Sequence, residues 1–538
     1  MAVPLPPGAL MNITFSKGIV TGILSTDVAY FLSVPFAAST EGLNSFAPPS
    51  PRDSWTGALN GTVFGAGCLQ PHHNADVPSL QSFDCLSLNI FAPPSALDSA
   101  AGGSTSTTTT KLPVMVFFNG GAYLEGSDIG PFGMYSGASL ISNDVIVVTI
   151  NYRLGAYGWL GGLPELNING NFGIMDQIAG LKWVRDEIAA VGGDPQRVTV
   201  FGESAGAMSI GILLTSPAAD GLFQRAIMES NVAGFNYPNA THAAIYAASF
   251  CADKALNCND ALGHCNATCL RTATPAAVMS AWNSATGSVP DFIFTDLSHI
   301  IDGLLGTGPI IDGDIVITEP MGAVESGSYW GKNIPILLGT NSNEGETFIY
   351  DGVDFPLPGF LVPYAYLGIL NFNETAAQLV DKEPRYNTSK YADGRTPLSQ
   401  MVTDFWFRCA SERFVATATA NGATTYVYRF DHLYSNASIF PGFGLPKICA
   451  QVVCHASEIP FVFHELPTFA SFTPDEDEFA LRMGIYWTNF AKGLAPSSEW
   501  PAWSPTSRLT KVLNISETIE STSGLCGFWD SLAGAYFW

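Results

Sequence analysis

The pentapeptide Gly202-Glu203-Ser204-Ala205-Gly206 constrains the fold more than any other feature of the sequence. Residues 198–201, just before it, form a short apolar run typical of a buried strand, and residues 207–214 are typical of a helix. A serine at such a strand-to-helix junction occupies a strained turn that lifts its hydroxyl above the sheet. Glycines flank it because a Cβ there would collide with the neighbouring strand and helix. We therefore predict that Ser204 is a nucleophile.

The segments around this junction alternate between strand and helix patterns. Residues 112–118 and 145–152 are continuous apolar runs of the kind found in strands buried on both faces. Residues 175–191 carry apolar side chains at helical spacing and end at a glycine pair. Alternating strands and helices predict an α/β fold with a large, mostly parallel central sheet and helices on both faces. We expect one domain over residues 1–538, with an exposed low-complexity loop at about 93–111.

Charge and hydropathy exclude some classes of partner. The chain has 23 basic and 47 acidic residues, so its formal charge is −24 and its field repels phosphate backbones and anionic membranes. Its longest apolar runs are strand-sized, well short of the ~18–20 residues that cross a bilayer. We therefore expect neither a nucleic-acid partner nor a membrane span.

Cysteines and glycosylation sequons point to the secretory pathway. Ten cysteines are unusual for a reducing compartment. They occur together with eight Asn-X-Ser/Thr sequons. We expect a secreted chain and, because residues 1–22 lack a basic start followed by an apolar run, a mature form. The candidate glycosylation sites are Asn12, Asn60, Asn239, Asn266, Asn373, Asn387, Asn436 and Asn514.

A second glycine-containing segment follows a predicted buried strand. Hydrolysis of an ester requires backbone N–H donors aimed at the oxyanion of the tetrahedral intermediate. The segment Asn119-Gly120-Gly121-Ala122 comes directly after residues 112–118 and offers bare backbone to a substrate carbonyl. We predict an oxyanion hole made by Gly120, Gly121 and the amide of Ala205. Taken alone, the segment is equally compatible with an ordinary glycine turn.

Several segments together resemble the type-B carboxylesterase/lipase family, the cholinesterase-like branch of the α/β-hydrolases. The resemblance is strongest from Asn171 through Gly192-Gly193-Asp194-Pro195 to the pentapeptide at Ser204, and nearly the whole chain takes part. Further matches are Asp84-Cys85-Leu86-Ser87-Leu88-Asn89, Asn151-Tyr152-Arg153-Leu154-Gly155, Asp312-Gly313, and Phe528-Trp529 after Cys526. The resemblance implies an α/β-hydrolase fold and a serine carboxylic-ester hydrolase with a Ser-His-Glu triad, an acyl-enzyme intermediate, no cofactor and no metal. The chain departs from the family at Glu187, usually asparagine, and at Glu229, usually glutamine.

The catalytic base is chosen among three histidines. In α/β-hydrolases the triad follows the chain order nucleophile, acid, histidine. With an acid near residue 344, this order leaves His432, His455 and His464. The resemblance assigns the role to His455, with His432 as the alternative and His464 after it.

The acid comes from a loop that follows a strand-like run, residues 334–339. From the residues alone Glu344, Glu346 and Asp351 all remain open. The resemblance selects Glu344, which would orient the imidazole and stabilise its cation. We expect Ser230 to hold Glu344, and Glu203 to tune the electrostatics of the site without being a triad member.

The ten cysteines are expected to form disulfides. The resemblance suggests Cys68–Cys85 and Cys409–Cys526. The four cysteines between residues 251 and 269 are expected to pair as Cys251–Cys269 enclosing Cys258–Cys265, with a zinc site as the alternative. The remaining pair, Cys449–Cys454, would close a small loop just before His455.

The substrate is expected to be a small-molecule ester. The loop between Cys68 and Cys85, a long apolar lid in lipases of this family, is short and largely polar here, which predicts no interfacial activation. It also lacks a tryptophan for a quaternary ammonium, which argues against a choline ester. We expect short to medium acyl or aryl esters. The alternatives are a feruloyl-type esterase, a lipase or sterol esterase, or a catalytically silent adhesion or binding protein. The apolar residues 360–372 are expected either to line a substrate pocket or to pack as a buried helix.

Overall fold

The computed structural model of the chain describes residues 8–70, 80–100, 111–260, 262–286, 308–369, 374–467, 469–522, 524 and 526–536. Its strands are β1 (Ala9–Phe15), β2 (Gly18–Leu24), β3 (Ala29–Pro35), β4 (Ala58–Asn60), β5 (Gly67–Cys68), β6 (Gln81–Ser82), β7 (Ser87–Ala92), β8 (Leu112–Phe118), β9 (Ile146–Ile150), β10 (Gly193–Glu203), β11 (Arg225–Glu229), β12 (Ile336–Asn341), β13 (Thr425–Phe430), β14 (Leu509–Leu513) and β15 (Thr518–Ser521).

The described residues form sixteen α-helices. They are α1 (Pro94–Ala100), α2 (Gly155–Trp159), α3 (Phe172–Glu187), α4 (Ala205–Thr215), α5 (Ala240–Ala252), α6 (Ala267–Thr272), α7 (Pro275–Thr286), α8 (Pro320–Ser326), α9 (Glu344–Gly352), α10 (Val362–Ile369), α11 (Glu374–Lys382), α12 (Arg395–Val402), α13 (Cys409–Ala420), α14 (Ile459–Phe463), α15 (Pro474–Ala491) and α16 (Gly527–Tyr536). A π-helical turn, Thr403–Arg408, joins α12 to α13.

One large sheet organises the chain. Strands β9, β8, β10, β11, β12, β13 and β14 lie side by side in this order, and every neighbouring pair is parallel. Antiparallel strands extend both edges, with β7, β3, β2 and β1 on one side and β15 on the other. The large, mostly parallel sheet predicted from the sequence is present. In such a sheet, side chains that follow the carboxyl ends of the parallel strands meet at one edge.

Both faces of the sheet are buried, as the unbroken apolar runs predict. Along β8, Val114, Val116 and Phe118 belong to the apolar cluster on one face, whereas Met115 and Phe117 belong to the cluster on the other. This division follows from the two-residue repeat of a strand, which points successive side chains to opposite faces.

Two sequence-based expectations are wrong. The loop expected at about 93–111 begins with helix α1, in which Ala96 and Leu97 are buried. Proline is compatible with the first turn of a helix, and alanine and leucine are strong helix formers, so a segment of low complexity can still pack. Residues 101–110 lie outside the described residues.

The second correction concerns the disulfides of the 251–269 segment. The structure pairs Cys251 with Cys265 and Cys258 with Cys269, instead of the nested pairs Cys251–Cys269 and Cys258–Cys265. Asn259 pairs with Cys265 in an antiparallel bridge, and α6 then returns Cys269 to Cys258. The spacing of the cysteines does not encode this bridge. The other expected pairs, Cys68–Cys85, Cys409–Cys526 and Cys449–Cys454, are present.

The loop after β9 is fixed to α3 by a buried ion pair. The guanidinium of Arg153 donates from Nε and Nη2 to the two oxygens of Asp176, each at 2.7 Å. The side chains of Arg153 and Asp176 are 2% and 0% exposed. Because both side chains are shielded from water, a charge left without its partner could not be solvated. Removing either member is therefore destabilising.

Asp176→Asn is therefore expected to lower the free energy of unfolding by about 3–5 kcal/mol, because it leaves the Arg153 charge buried without a counter-ion. Asp186→Asn is the control, because Asp186 forms an ion pair with Arg185 at the surface, where the Asp186 and Arg185 side chains are 56% and 45% exposed. It should change the free energy by less than about 0.5 kcal/mol. Urea unfolding of both variants measures the difference, and equal effects would contradict the expectation.

Candidate active site

Ser204 lies on a strained turn between β10 and α4. Its backbone has φ 55° and ψ −120°, a conformation that non-glycine residues rarely adopt. The turn is held on both sides: the Ser204 N–H donates to the Glu229 carbonyl at 2.9 Å, and the Ser204 carbonyl accepts from Met208 N–H at 2.9 Å. A Cβ on Gly206 would collide with the Phe118 carbonyl, so only glycine allows α4 to approach β8 this closely. The structure thus provides the sharp bend expected from the pentapeptide.

The predicted oxyanion segment lies directly beside this turn. A Cβ on Gly120 would collide with Glu203 and would lie 3.1 Å from the Ser204 Cβ. Gly121 has φ +106°, and Ala122 and Tyr123 also have positive φ, so the chain turns sharply after β8. The hydroxyl of Tyr152 donates to the Asn119 carbonyl at 2.7 Å and fixes the start of the turn. Bare backbone therefore approaches Ser204 at the place where the sequence predicts it.

Glu344 and His455 are in direct contact. The Nδ1 atom of His455 lies 2.6 Å from Oε2 of Glu344, and 111 positions separate the two in the chain. The His455 side chain is 9% exposed and the Glu344 side chain is 0% exposed. When the imidazole is neutral, this contact favours the tautomer that carries its proton on Nδ1.

Glu344 is held by hydrogen bonds to its other oxygen. Oε1 accepts from the Ser230 hydroxyl at 2.7 Å and from the Asn341 N–H at 2.6 Å. The Ser230 hydroxyl also lies 3.2 Å from a Glu458 oxygen, and the Asn341 amide donates to the other Glu458 oxygen at 2.5 Å. The expected contact between Ser230 and Glu344 is present, whereas Glu458 and Asn341 were not among the candidate residues.

Glu203 is the second carboxylate next to the imidazole. Its Oε1 lies 3.0 Å from His455 Nε2, and both groups are buried. Burial alone would lower the pKa of His455, but the Glu203 and Glu344 carboxylates outweigh it and raise this pKa above its ordinary value. Burial raises the pKa of Glu203, while the nearby His455 opposes the rise. Glu203 is the residue before Ser204, so the imidazole reaches the side chain that immediately precedes the strained turn.

Two further buried carboxyls lie behind these groups. Burial and the neighbouring Glu344 raise the pKa of Glu458 to about 7. Burial and Glu458 raise the pKa of Glu229 well above its ordinary value, against the effect of a 2.7 Å hydrogen bond from Trp487 Nε1. A raised pKa favours the neutral carboxyl, which is similar to an amide in shape and charge, at the position where the resemblance to the family implies glutamine.

Aromatic rings surround the imidazole. The ring centroids of Phe348 and Phe407 lie 5.1 and 5.3 Å from that of His455. Phe407 belongs to the π-helical turn Thr403–Arg408, whose Trp406 packs on Phe235 at 4.4 Å. In the same turn the Thr403 hydroxyl accepts from the Gly345 N–H at 2.9 Å. π-helical turns are frequent at functional sites, and this one contacts both the acid loop and the histidine.

Among the residues that the structure describes, no group of three or more His, Cys, Asp and Glu is arranged to hold a metal ion. Likewise, none of the described helices is long and apolar enough to cross a membrane.

A sequence profile described as "Carboxylesterase family" matches residues 10–529. The chain belongs to the carboxylesterase family. Para-nitrobenzyl esterase from Bacillus subtilis (strain 168) is 33% identical over 527 residues, covering 95% of this chain and 96% of that protein. Acetylcholinesterase from Bungarus fasciatus is 30% identical over 555 residues, covering 96% and 84%. "Crystal protein" from Dictyostelium discoideum is 29% identical over 543 residues, covering 97% and 91%.

Solved structures give the same result. A structure titled PNB esterase superposes with a TM-score of 0.77 at 30% identity and covers 96% of this chain and 98% of that chain. The expected enzyme class, a carboxylesterase, is confirmed.

The two alternative histidines of this carboxylesterase make other contacts. His432 lies between Glu476, 3.0 Å from Nε2, and Asn514, 3.1 Å from Nδ1. His464 lies between Asp477 and Ser139, at 2.7 and 3.2 Å. Each nitrogen of both rings thus has a partner, and none of these partners is Glu344.

The residues that sequence reasoning missed carried only weak signals. Glu458 lies three residues after His455, in a segment already matched to the family, but a glutamate at a helix start is usually solvated. Asn341 and Trp487 have no recognisable pattern around them. The π-helical turn has no periodicity that distinguishes it from the flanking helices.

Glu203→Gln is expected to shift the acidic limb of the pH profile of kcat/KM to lower pH. The change removes a negative charge 3.0 Å from His455 Nε2, so the imidazolium is less stabilised and the base loses its proton at lower pH. Glu165→Gln, at an exposed glutamate, is the control. A Glu203→Gln profile that overlays the wild-type profile would contradict the role of this carboxylate.

Proposed function

We propose that Ser204, His455 and Glu344 form the catalytic triad with which this carboxylesterase hydrolyses short to medium acyl or aryl esters. The observation that carries the proposal is the buried contact of His455 with Glu344 at 2.6 Å, with the opposite imidazole nitrogen beside the residue that precedes Ser204. A base that is oriented by a third group and adjoins a strained nucleophile is the arrangement that serine hydrolases need.

In the proposed first step, His455 Nε2 takes the proton of the Ser204 hydroxyl while Oγ attacks the ester carbonyl carbon. The negative oxygen that forms accepts hydrogen bonds from the backbone amides of Gly120, Gly121 and Ala205. The carbon–oxygen bond to the alcohol then breaks, His455 returns the proton to the leaving alcohol, and an acyl-enzyme remains. Water repeats the sequence with the acyl-enzyme and releases the acid.

The buried carboxyls support this charge movement. Glu344 stays hydrogen-bonded to Ser230 and Asn341 while it faces the imidazolium that forms during attack. These neutral donors stabilise the carboxylate without adding a competing positive charge. Glu203 and Glu344 lie close to His455 and raise its pKa, so they stabilise the imidazolium that forms during attack. The neutral ring that can accept the serine proton becomes more populated as the pH rises.

The surroundings of His455 favour acyl or alcohol groups that are small or flat. Phe348 contacts the imidazole and is partly exposed, and the buried Trp406 connects it to Phe235, which is also partly exposed. Aromatic substrates pack well on accessible rings of this kind. These contacts also favour the feruloyl-type alternative, in which the acid is aromatic. The apolar segment 360–372 gives less support, because Phe360 and Tyr364 are 73% and 57% exposed, while Tyr366 is buried in α10. Residues 370–372 of this segment lie outside the described residues.

Secretion as a glycoprotein is also part of the proposal. Five disulfides connect the described part of the chain, a number suited to an oxidising compartment. The sequon asparagines Asn12, Asn60, Asn239 and Asn266 are exposed, as glycosylation requires. Asn387, Asn436 and Asn514 are partly exposed, and Asn373 lies outside the described residues.

Ser204→Ala is expected to lower kcat for a chromogenic acetate or butyrate ester by about 10⁴-fold or more, because the covalent route is lost. Ser142→Ala, which changes an exposed serine, is the control and should keep wild-type kcat. Retention of activity by Ser204→Ala would refute the triad. A wild-type enzyme inactive on a panel of acyl lengths and aromatic acids would instead favour the silent adhesion or binding protein.

Hydrolysis of a long-chain ester is expected to show no sharp rise above the solubility limit of the substrate. The prediction comes from the short polar loop between Cys68 and Cys85, of which residues 71–79 lie outside the described residues. Rates measured across the solubility limit, with a soluble butyrate ester as the reference, test it. A steep increase at the limit would favour the lipase or sterol esterase alternative.

A further inference from the structure

The loops that carry Glu344 and His455 are joined one residue before each of these side chains. Asn343 pairs with Cys454 in an isolated parallel bridge, and the Asn343 N–H donates to the Val453 carbonyl at 2.9 Å. Asn343 precedes Glu344, and Cys454 precedes His455. The bridge therefore fixes the relative position of the two Cα atoms from which the acid and the base extend.

The same cysteine is held by a disulfide. Cys454 is bonded to Cys449, only five positions earlier, and both residues are 0% exposed. The Sγ atom of Cys449 lies 3.9 Å from the Thr347 hydroxyl, on the first turn of the helix that begins at Glu344. The disulfide thus contacts the histidine loop through the chain and the acid helix through space.

The backbone after His455 is strained. Ala456 has φ 65°, in the left-handed region that costs a residue with a Cβ on the order of 1 kcal/mol or more. Such a conformation persists only where the surrounding structure imposes it. The Ser457 N–H returns to the Cys454 carbonyl at 3.2 Å, so the turn containing Ala456 is closed on the half-cystine itself.

We propose that the Cys449–Cys454 disulfide is a positioning element of the active site, which holds His455 within hydrogen-bonding distance of Glu344. The proposal rests on the triad proposed above. A five-residue loop restricts the unfolded chain much less than the 117-residue separation of Cys409–Cys526 does, so the effect of this disulfide on global stability is expected to be the smaller one. Its main effect is local, at the base.

The test compares Cys449→Ser/Cys454→Ser with Cys258→Ser/Cys269→Ser, which removes another short-range disulfide in the segment between α5 and α7. The first variant is expected to lose about 10–100-fold in kcat, since a misplacement of ~1 Å in a catalytic group can cost about 10²-fold. Its KM should change little. The acidic limb of its kcat/KM profile should also move to lower pH, because Glu344 stabilises the imidazolium less. The second variant should keep wild-type kcat and the wild-type pH profile.

Wild-type kcat in Cys449→Ser/Cys454→Ser would overturn the proposal, and so would equal losses in both variants. Should the serine pair fail to fold, Cys449→Ala/Cys454→Ala replaces it, because its methyl groups suit the fully buried site. Ser204→Ala is measured in parallel. If Ser204→Ala stays active, the triad itself fails; if it is inactive and only the cysteine variant keeps its kcat, the positioning role alone fails.

Discussion

The hydrogen bond between the buried carboxylate of Glu344 and the imidazole of His455 is the interaction on which the rest of the site depends. At 2.6 Å and with almost no solvent, it joins two chemically opposite groups in a region of low dielectric. A carboxylate in such a place is costly unless every lone pair has a donor, and Ser230 and Asn341 provide donors to its second oxygen. Three neighbouring acids, Glu203, Glu458 and Glu229, are also buried. Burial disfavours their charged forms and raises their pKa values.

The parallel sheet brings these groups together because the segments they occupy follow neighbouring strands. Gly120 follows β8, Ser204 follows β10, Ser230 follows β11 and Glu344 follows β12, four strands that lie side by side. The turn at Ser204 and the glycine segment approach each other so closely that there is no room for a side chain at Gly120. His455 comes from farther along the chain, so its position needs additional restraints: the bridge to Asn343, the rings of Phe348 and Phe407, and the proposed disulfide contact.

The fold and the nucleophile turn could be predicted from the sequence because their causes are local. The unbroken apolar runs mark strands buried on both faces, and the spacing of glycines around Ser204 is fixed by a steric requirement at that turn. Glu344 and His455 needed the resemblance to a family, since a loop glutamate and a histidine carry no local sign of their contact. The pairing Cys251–Cys265 and the helix α1 were missed because an antiparallel bridge and tertiary packing decide them. Glu458 was missed because burial of a charged residue is a property of the assembled loops.

The central claim is that His455, oriented by Glu344, activates Ser204. Covalent labelling of the native enzyme with an organophosphate ester, followed by peptide mass mapping, tests it most directly. The predicted result is one adduct on the peptide that contains Ser204, formed rapidly by the wild type and far more slowly by both His455→Gln and Glu344→Gln, while His432→Gln reacts at the wild-type rate. An adduct on another residue, or undiminished labelling in His455→Gln, would contradict the account.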